Sequence, residues 1–161
     1  MGMTCRIREV APGDLDCLAG PAEQACELFE RDDPAGRVLS IEKAWDGLHY
    51  LLTGSARGGR EPLCFLRRGG RSVGRDLGCG RPRLLGADFV RRLDSALRDI
   101  SDEELGGRFD AARFEAAGVY PDIWDEPEDQ LREEYLGYFA QLKEFVGRAA
   151  ARDGELLIVV I

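Results

Sequence analysis

The segment of residues 40–54 constrains the fold most strongly, because its apolar residues follow a helical period. These side chains recur at three- and four-residue steps and would form one wide helix face: Ile41, Trp45, Leu48 and Leu52. Ser40 can cap the N–H groups at the start, and Gly54 can adopt the left-handed conformation that ends a helix. The segment therefore predicts a core helix from Ser40 to Gly54, with Val38 and Leu39 leading into it.

The two ends of the chain predict strands. Residues 3–10 alternate between apolar and polar side chains, as in a half-buried strand. Residues 156–161 are apolar without interruption, which is typical of a strand covered on both faces. Short strands are also predicted near Ser72 and over residues 83–85, between glycine-rich turns.

Helices are predicted for most of the remaining chain. Residues 89–100 form an apolar stripe, and the longest helix is predicted from about Glu128 to Arg152. Two shorter helices are predicted between these two, and Ser101 and Asp110 are positioned to cap them. Together the elements predict an α+β fold, a helix-rich single domain over residues 1–161 packed on a small sheet that includes the N- and C-terminal strands.

Composition and cysteine spacing exclude several classes of protein. No apolar run approaches the roughly 20 residues of a membrane-spanning helix, and the N-terminus lacks the pattern of a signal peptide. The five cysteines are far apart, which supports neither a disulfide framework nor a zinc site. We therefore expect a cytoplasmic protein with reduced, mostly buried thiols, no membrane association and no metal or cofactor.

Charge is distributed unevenly along the chain. The net charge of −8 argues against nucleic acid as a partner. Residues 57–92 nevertheless contain ten arginines against three acidic residues, a local balance of +7, whereas residues 101–134 have twelve acidic residues against three arginines, a balance of −9. The two blocks either neutralise each other in the fold or form separate patches of opposite sign.

Two arrangements of residues could indicate a specific chemistry: a nucleotide-binding loop and a cysteine–histidine catalytic site. Glycines 69, 70 and 74 suggest a phosphate-binding loop, but Arg75 and Asp76 stand where that loop needs a lysine and a hydroxyl. A hydrolase-like enzyme could use His49 as the base, Asp46 or Asp76 to orient it, and Cys64 or Cys79 as the nucleophile. A lone histidine beside the apolar face of a helix is more often a hydrogen-bonded core residue, so the enzyme is the alternative interpretation.

A binding site is predicted where three segments converge: the glycine-rich turns 74–80, the polar edge of the central helix and the connector 120–124. Irregular segments held by a rigid helix are where binding residues collect, and aromatic walls with few polar groups suit a small molecule. Asp76 and Asp122 would supply acceptors, and His49 a switchable donor. The predicted site residues are Asp46, His49, Tyr50, Asp76, Tyr120, Asp122 and Trp124.

Four blocks of sequence carry a resemblance to a known family. They are residues 1–3, residues 43–54 (KAWDGLHYLLTG), residues 74–78 (GRDLG) with Gly80, and residues 119–124 (VYPDIW). In these blocks the chain resembles the YfbM-like family of bacterial domains of unknown function, with Cys79 standing where that family has an aromatic residue. The resemblance implies an α+β fold and a small cytoplasmic protein, without an established activity to carry over.

We therefore predict a non-enzymatic domain that binds a protein partner or a small ligand. The alternative is the hydrolase that uses His49, Asp76 and a cysteine. Geometry separates the two: an enzyme needs His49 in an open cleft within about 4 Å of Asp76 or a cysteine. A histidine packed in the core, with its ring nitrogens hydrogen-bonded to the backbone, favours the binding domain.

Overall fold

A five-stranded antiparallel sheet joins the two ends of the chain, in a computed structural model that describes residues 2–31 and 33–161. The strands are β1 (Cys5–Glu9), β2 (Val38–Glu42), β3 (Arg71–Ser72), β4 (Arg83–Leu85) and β5 (Leu156–Val160). Their spatial order is β2-β1-β5-β4-β3, so the C-terminal strand lies at the centre and pairs with the N-terminal one. The predicted sheet of terminal strands is confirmed.

Helices surround this sheet. They are α1 (Asp14–Ala19), α2 (Ala22–Glu30), α3 (Trp45–Thr53), α4 (Ala87–Arg98), α5 (Asp102–Gly107), α6 (Ala111–Ala116) and α7 (Glu128–Ala151). The caps predicted for the two short helices are confirmed, because the side chain of Ser101 accepts from the N–H of Glu104 and that of Asp110 accepts from the N–H of Arg113. The fold is α+β, as predicted.

The sheet is covered on both faces. Leu156 and Ile158 of β5 belong to the large core that also contains α3, α4 and α7. Leu157 and Val159 point to a smaller cluster with Leu18 of α1 and with Phe29 of α2. A strand covered on both faces needs apolar residues at every position, which explains the uninterrupted apolar run.

The start of the central helix differs from the prediction. Residues 38–42 form β2, where Ser40 pairs with Arg6 and Leu39 with Ile7 of β1. Helix α3 begins only at Trp45, so Ser40 does not cap it. The predicted end is confirmed, because Gly54 has φ 72° and its N–H donates to the carbonyl of Tyr50.

The apolar run of residues 63–66 is neither helix nor strand but a series of turns, whose side chains still reach the core. Within the described part of the chain, none of the helices is long and apolar enough to cross a membrane.

Candidate ligand-binding cavity

A cavity of about 290 Å³ lies beside β5, where five segments distant in sequence meet, the N-terminal one contributing Met3. Trp45 comes from the first turn of α3, Arg67 from the turns before β3, and Ile158 from the central strand. Residues 79–81 and Arg83 close the remaining side. The cavity thus combines one aromatic wall, residues of the central strand and three arginines.

Arg67 is held rigidly in the wall of this cavity. Its Nε and Nη2 lie 2.8 and 2.5 Å from Oδ1 of Asp46, whose side chain is only 3% exposed. Its guanidinium also lies over the Trp45 ring, 5.2 Å from the ring centre. Both contacts fix the side chain before any ligand arrives, and the carboxylate neutralises its charge.

Asp46 also ties α3 to the connector that follows α6. Its second oxygen, Oδ2, accepts from the backbone N–H of Tyr120 at 2.9 Å. The Tyr120 ring packs against Trp45 with ring centres 6.1 Å apart. Since Asp46 lies in the first turn of α3, the helix dipole further stabilises its negative charge.

Arg83 and Arg81 are the other two arginines that line the cavity. Arg83 is half-buried on β4 and donates from Nη1 to the carbonyl of Gly69 at 2.8 Å and from Nη2 to that of Phe65 at 2.6 Å. Burial lowers the pKa of the Arg83 guanidinium, but an arginine remains charged at neutral pH. Arg81 is exposed and donates from Nε to the carbonyl of Gly74 at 3.0 Å.

Some of the predicted site residues lie at or next to this cavity. Asp46 and Tyr120 support its Trp45–Arg67 wall, and the turn that contains Cys79 lines it. Asp76 is exposed, and its Oδ1 accepts from the N–H groups of Gly78 at 2.8 Å and Gly80 at 3.2 Å. Asp76 therefore shapes the turn that carries Cys79 into the wall.

The other predicted residues lie in different surroundings. Trp124 is buried, stacks on Phe114 with ring centres 4.3 Å apart, and donates to the carbonyl of Val119 at 2.8 Å. Tyr50 is half-buried against the same Phe114 ring, at 5.1 Å. Asp122 is exposed. Trp124 and Tyr50 thus belong to an aromatic core cluster rather than to the cavity wall.

His49 is fully buried instead of lying on a polar edge. Within residues 2–31 and 33–161, neither ring nitrogen has a hydrogen-bond partner, so none joins His49 to Asp76 or to a cysteine. The pKa of His49 is lowered from 6.5 to about 4, mainly because the ring is buried and also because Arg67 is positively charged, while Asp46 acts in the opposite direction. His49 is therefore neutral at pH 7.

The cysteines proposed for the hydrolase differ in their surroundings. Cys64 is buried, and burial raises the pKa of its thiol, which disfavours the reactive thiolate. Cys79 is exposed at the cavity. The expected burial of most thiols holds for Cys5 and Cys64, whereas Cys17 and Cys79 are exposed and Cys26 is half-buried. Across the described residues, no three histidines, cysteines or acids come together as metal ligands.

The low pKa of His49 predicts a pH dependence of stability. Below pH 6.5 the unfolded chain takes up a proton on this side chain that the folded chain does not, down to about pH 4. This contribution to stability is therefore complete above pH 6.5 and is lost as the pH falls toward 4. From pH 7 to pH 5.5 we expect the free energy of unfolding to decrease by about 1.2 kcal/mol, as measured by urea denaturation.

His49→Leu is the matched control for this measurement, since it removes the titrating group and leaves the carboxylates unchanged. Its free energy of unfolding should change less over the same pH interval. Identical pH slopes in the two proteins would contradict the assignment to His49.

The sequence prediction did not single out the three cavity arginines. The only signal for them was the excess of arginine in residues 57–92, which does not identify individual residues. The two charged blocks do not pair with each other: among the described residues, the ion pairs of residues 101–134 are with Arg108, Arg113, Arg132 and Lys143. For residues 57–92, the ion pairs with described partners are those of Arg67 with Asp46 and of Arg91 with Asp88 and Asp153.

Comparisons with known proteins agree with this architecture. The profile of a family described as "Domain of unknown function (DUF1877)" matches residues 1–159. The fold is similar to the crystal structure of YfbM from Escherichia coli, a protein of unknown function, with a TM-score of 0.73 and 21% sequence identity over 98% of this chain and 99% of that chain. No curated protein is significantly similar.

Proposed function

The chain belongs to the DUF1877 family, to which no activity is assigned, and from the geometry of its own cavity we propose that it is a small-ligand-binding domain of the bacterial cytoplasm. The ligand would occupy the cavity between Trp45, Arg67 and residues 79–83.

The single observation that carries this proposal is the fixed position of Arg67. Asp46 and the Trp45 ring hold its guanidinium in the cavity wall, so no side-chain entropy has to be lost there on binding. Fixed polar groups next to an aromatic wall are typical of small-molecule sites. The volume of about 290 Å³ suits a compact ligand.

The same geometry favours binding over catalysis. An acyl-transfer site needs a nucleophile and a base within hydrogen-bond reach. His49 is buried, and within the part of the chain that the structure describes no hydrogen bond joins it to a cysteine. The hydrolase alternative therefore has no geometric support.

Trp45 provides a direct test, because a ligand in the cavity would contact its ring. In Trp124→Phe, Trp45 is the only tryptophan, and its fluorescence should change saturably with at least one compound of a metabolite library. The matched variant Trp45→Phe retains Trp124, which lies in the aromatic core, and should not respond to the same compound. A library without any saturable response would overturn the proposal.

A protein partner is the second candidate. Several arginines of residues 57–92 are exposed and have no ion pair with a described carboxylate: Arg57, Arg60, Arg68, Arg71 and Arg75. An acidic protein surface would complement them. Binding of an acidic protein through these arginines should weaken as salt is added and should persist in variants that fill the cavity.

A further inference from the structure

We propose that the cavity binds an anionic group, a carboxylate or a phosphate, through Arg83 and Arg81, with the rest of the ligand against Trp45. This inference rests on the proposed function and specifies the chemical class of the ligand.

Two other partly buried arginines, Arg8 and Arg67, hold a buried carboxylate. Arg8 has a side chain 11% exposed, and its Nε lies 2.9 Å from Asp14, which is 7% exposed. Arg67 pairs with Asp46 in the same way. Such pairing is expected, because a charge removed from water is costly unless an opposite charge compensates for it.

Arg83 is different. It is half-buried, yet its hydrogen bonds in the described chain go to two backbone carbonyls, and no carboxylate of residues 2–31 or 33–161 lies within ion-pair distance. The two carbonyls fix the guanidinium but do not neutralise it. The positive charge at the cavity therefore lacks its counterion within the described residues.

Unused hydrogen-bond donors accompany this charge. A guanidinium carries five N–H groups. The hydrogen bonds found among the described residues engage Nη1 and Nη2 of Arg83, and only Nε of Arg81. Several donors of both residues remain for a ligand, and a planar fork of donors matches the oxygens of a carboxylate or a phosphate.

Arg67 has a different part in the cavity. Because Asp46 already neutralises it, Arg67 shapes the wall and holds the Trp45 ring without adding net charge. The net positive charge of the cavity thus comes from Arg81 and Arg83. A compact ligand with one anionic group and a short apolar or planar body fits this division.

The experiment titrates the full chain carrying Trp124→Phe with sodium phosphate, sodium succinate and uncharged succinamide. Ionic strength is held constant with sodium chloride, and Trp45 fluorescence and the midpoint of thermal unfolding are recorded. We expect saturable binding of at least one of the two anions and none of succinamide. Binding of phosphate alone assigns a phosphate group to the ligand, and binding of succinate alone assigns a carboxylate.

Arg81→Gln is the informative variant, since Arg81 is exposed and its loss should not prevent folding. It should weaken anion binding by about fivefold or more, the effect of losing a charge-assisted hydrogen bond. Arg60→Gln is the matched control. Arg60 is exposed in the same basic block and does not line the cavity, and its substitution removes the same charge. Its anion affinity should be unchanged.

Equal weakening in Arg81→Gln and Arg60→Gln would overturn the inference, because it would show a diffuse charge effect. So would the absence of saturable binding for both anions. If an uncharged compound of the metabolite library then still changes Trp45 fluorescence, the cavity binds a ligand but not an anion. If no compound does, the proposed function falls as well.

Discussion

Deleting residues 157–161 should abolish folding altogether, because it removes most of the central strand. In β5, Leu157 pairs with Arg8 of β1 on one side and with Leu84 of β4 on the other. The deletion would leave β1 and β4 without a shared partner and would open both faces of the core. We expect insoluble protein, or a chain without a cooperative unfolding transition by circular dichroism.

Leu157→Ala provides the graded comparison for this deletion. Leu157 is fully buried in the smaller cluster, so the truncation to alanine should cost about 2–5 kcal/mol while the strand pairing remains. This variant should be soluble and should unfold cooperatively at lower urea concentration. Soluble deletion protein with the same cooperative transition would show that β5 is dispensable.

Trp45→Ala should lower the free energy of unfolding by about 3–5 kcal/mol, the usual effect of removing a large buried aromatic side chain. Trp45 is 7% exposed and packs in the large core. Its Nε1 donates to the carbonyl of Met3 at 3.3 Å, and its ring contacts Arg67 and Tyr120. The change would appear as a shift of the urea midpoint at a similar denaturant slope.

Leu15→Ala is the control for that measurement. Leu15 is 38% exposed, so its truncation should change the free energy of unfolding by less than about 0.5 kcal/mol. If Trp45→Ala had as small an effect as Leu15→Ala, Trp45 could not be a packed wall of both the core and the cavity.

An element could be predicted from the sequence where the spacing of its apolar residues matches the face that it buries in the structure. Helix α7 has an apolar stripe along one face, and the structure buries that face over Glu128–Ala151. Ser101 and Asp110 cap their helices because capping depends on residues three positions away. The uninterrupted apolar run of β5 required two covered faces, and the fold provides them.

Residues 38–42 show where prediction of secondary structure from local apolar spacing fails. Ile41 lies four residues before Trp45, so both fit one helix face by spacing alone. Pairing with β1 supplies hydrogen bonds that no local pattern reveals, and it makes this segment a strand. Ile41 is still fully buried, because it reaches the same core from β2.

The candidate site was only partly predictable for the same reason. Asp46, Tyr120 and the turns 74–80 were predicted to lie in one site, and the structure brings them to or next to the same cavity. His49, however, is buried with a low pKa, and Trp124 belongs to the aromatic core. The depth of a side chain depends on how helices pack around it, which a one-dimensional pattern does not contain.

The sequence by itself determined the fold class, the helices with clear periods and caps, and the strands at the two ends, because each depends on neighbours within a few positions. Only the tertiary structure decided which arginines meet. Arg67, Arg81 and Arg83 lie around one cavity because β4 joins the centre of the sheet and the turns 67–83 fold back against Trp45. Among the described residues, Arg83 is bonded to two backbone carbonyls and to no carboxylate, and such surroundings are determined by long-range packing alone.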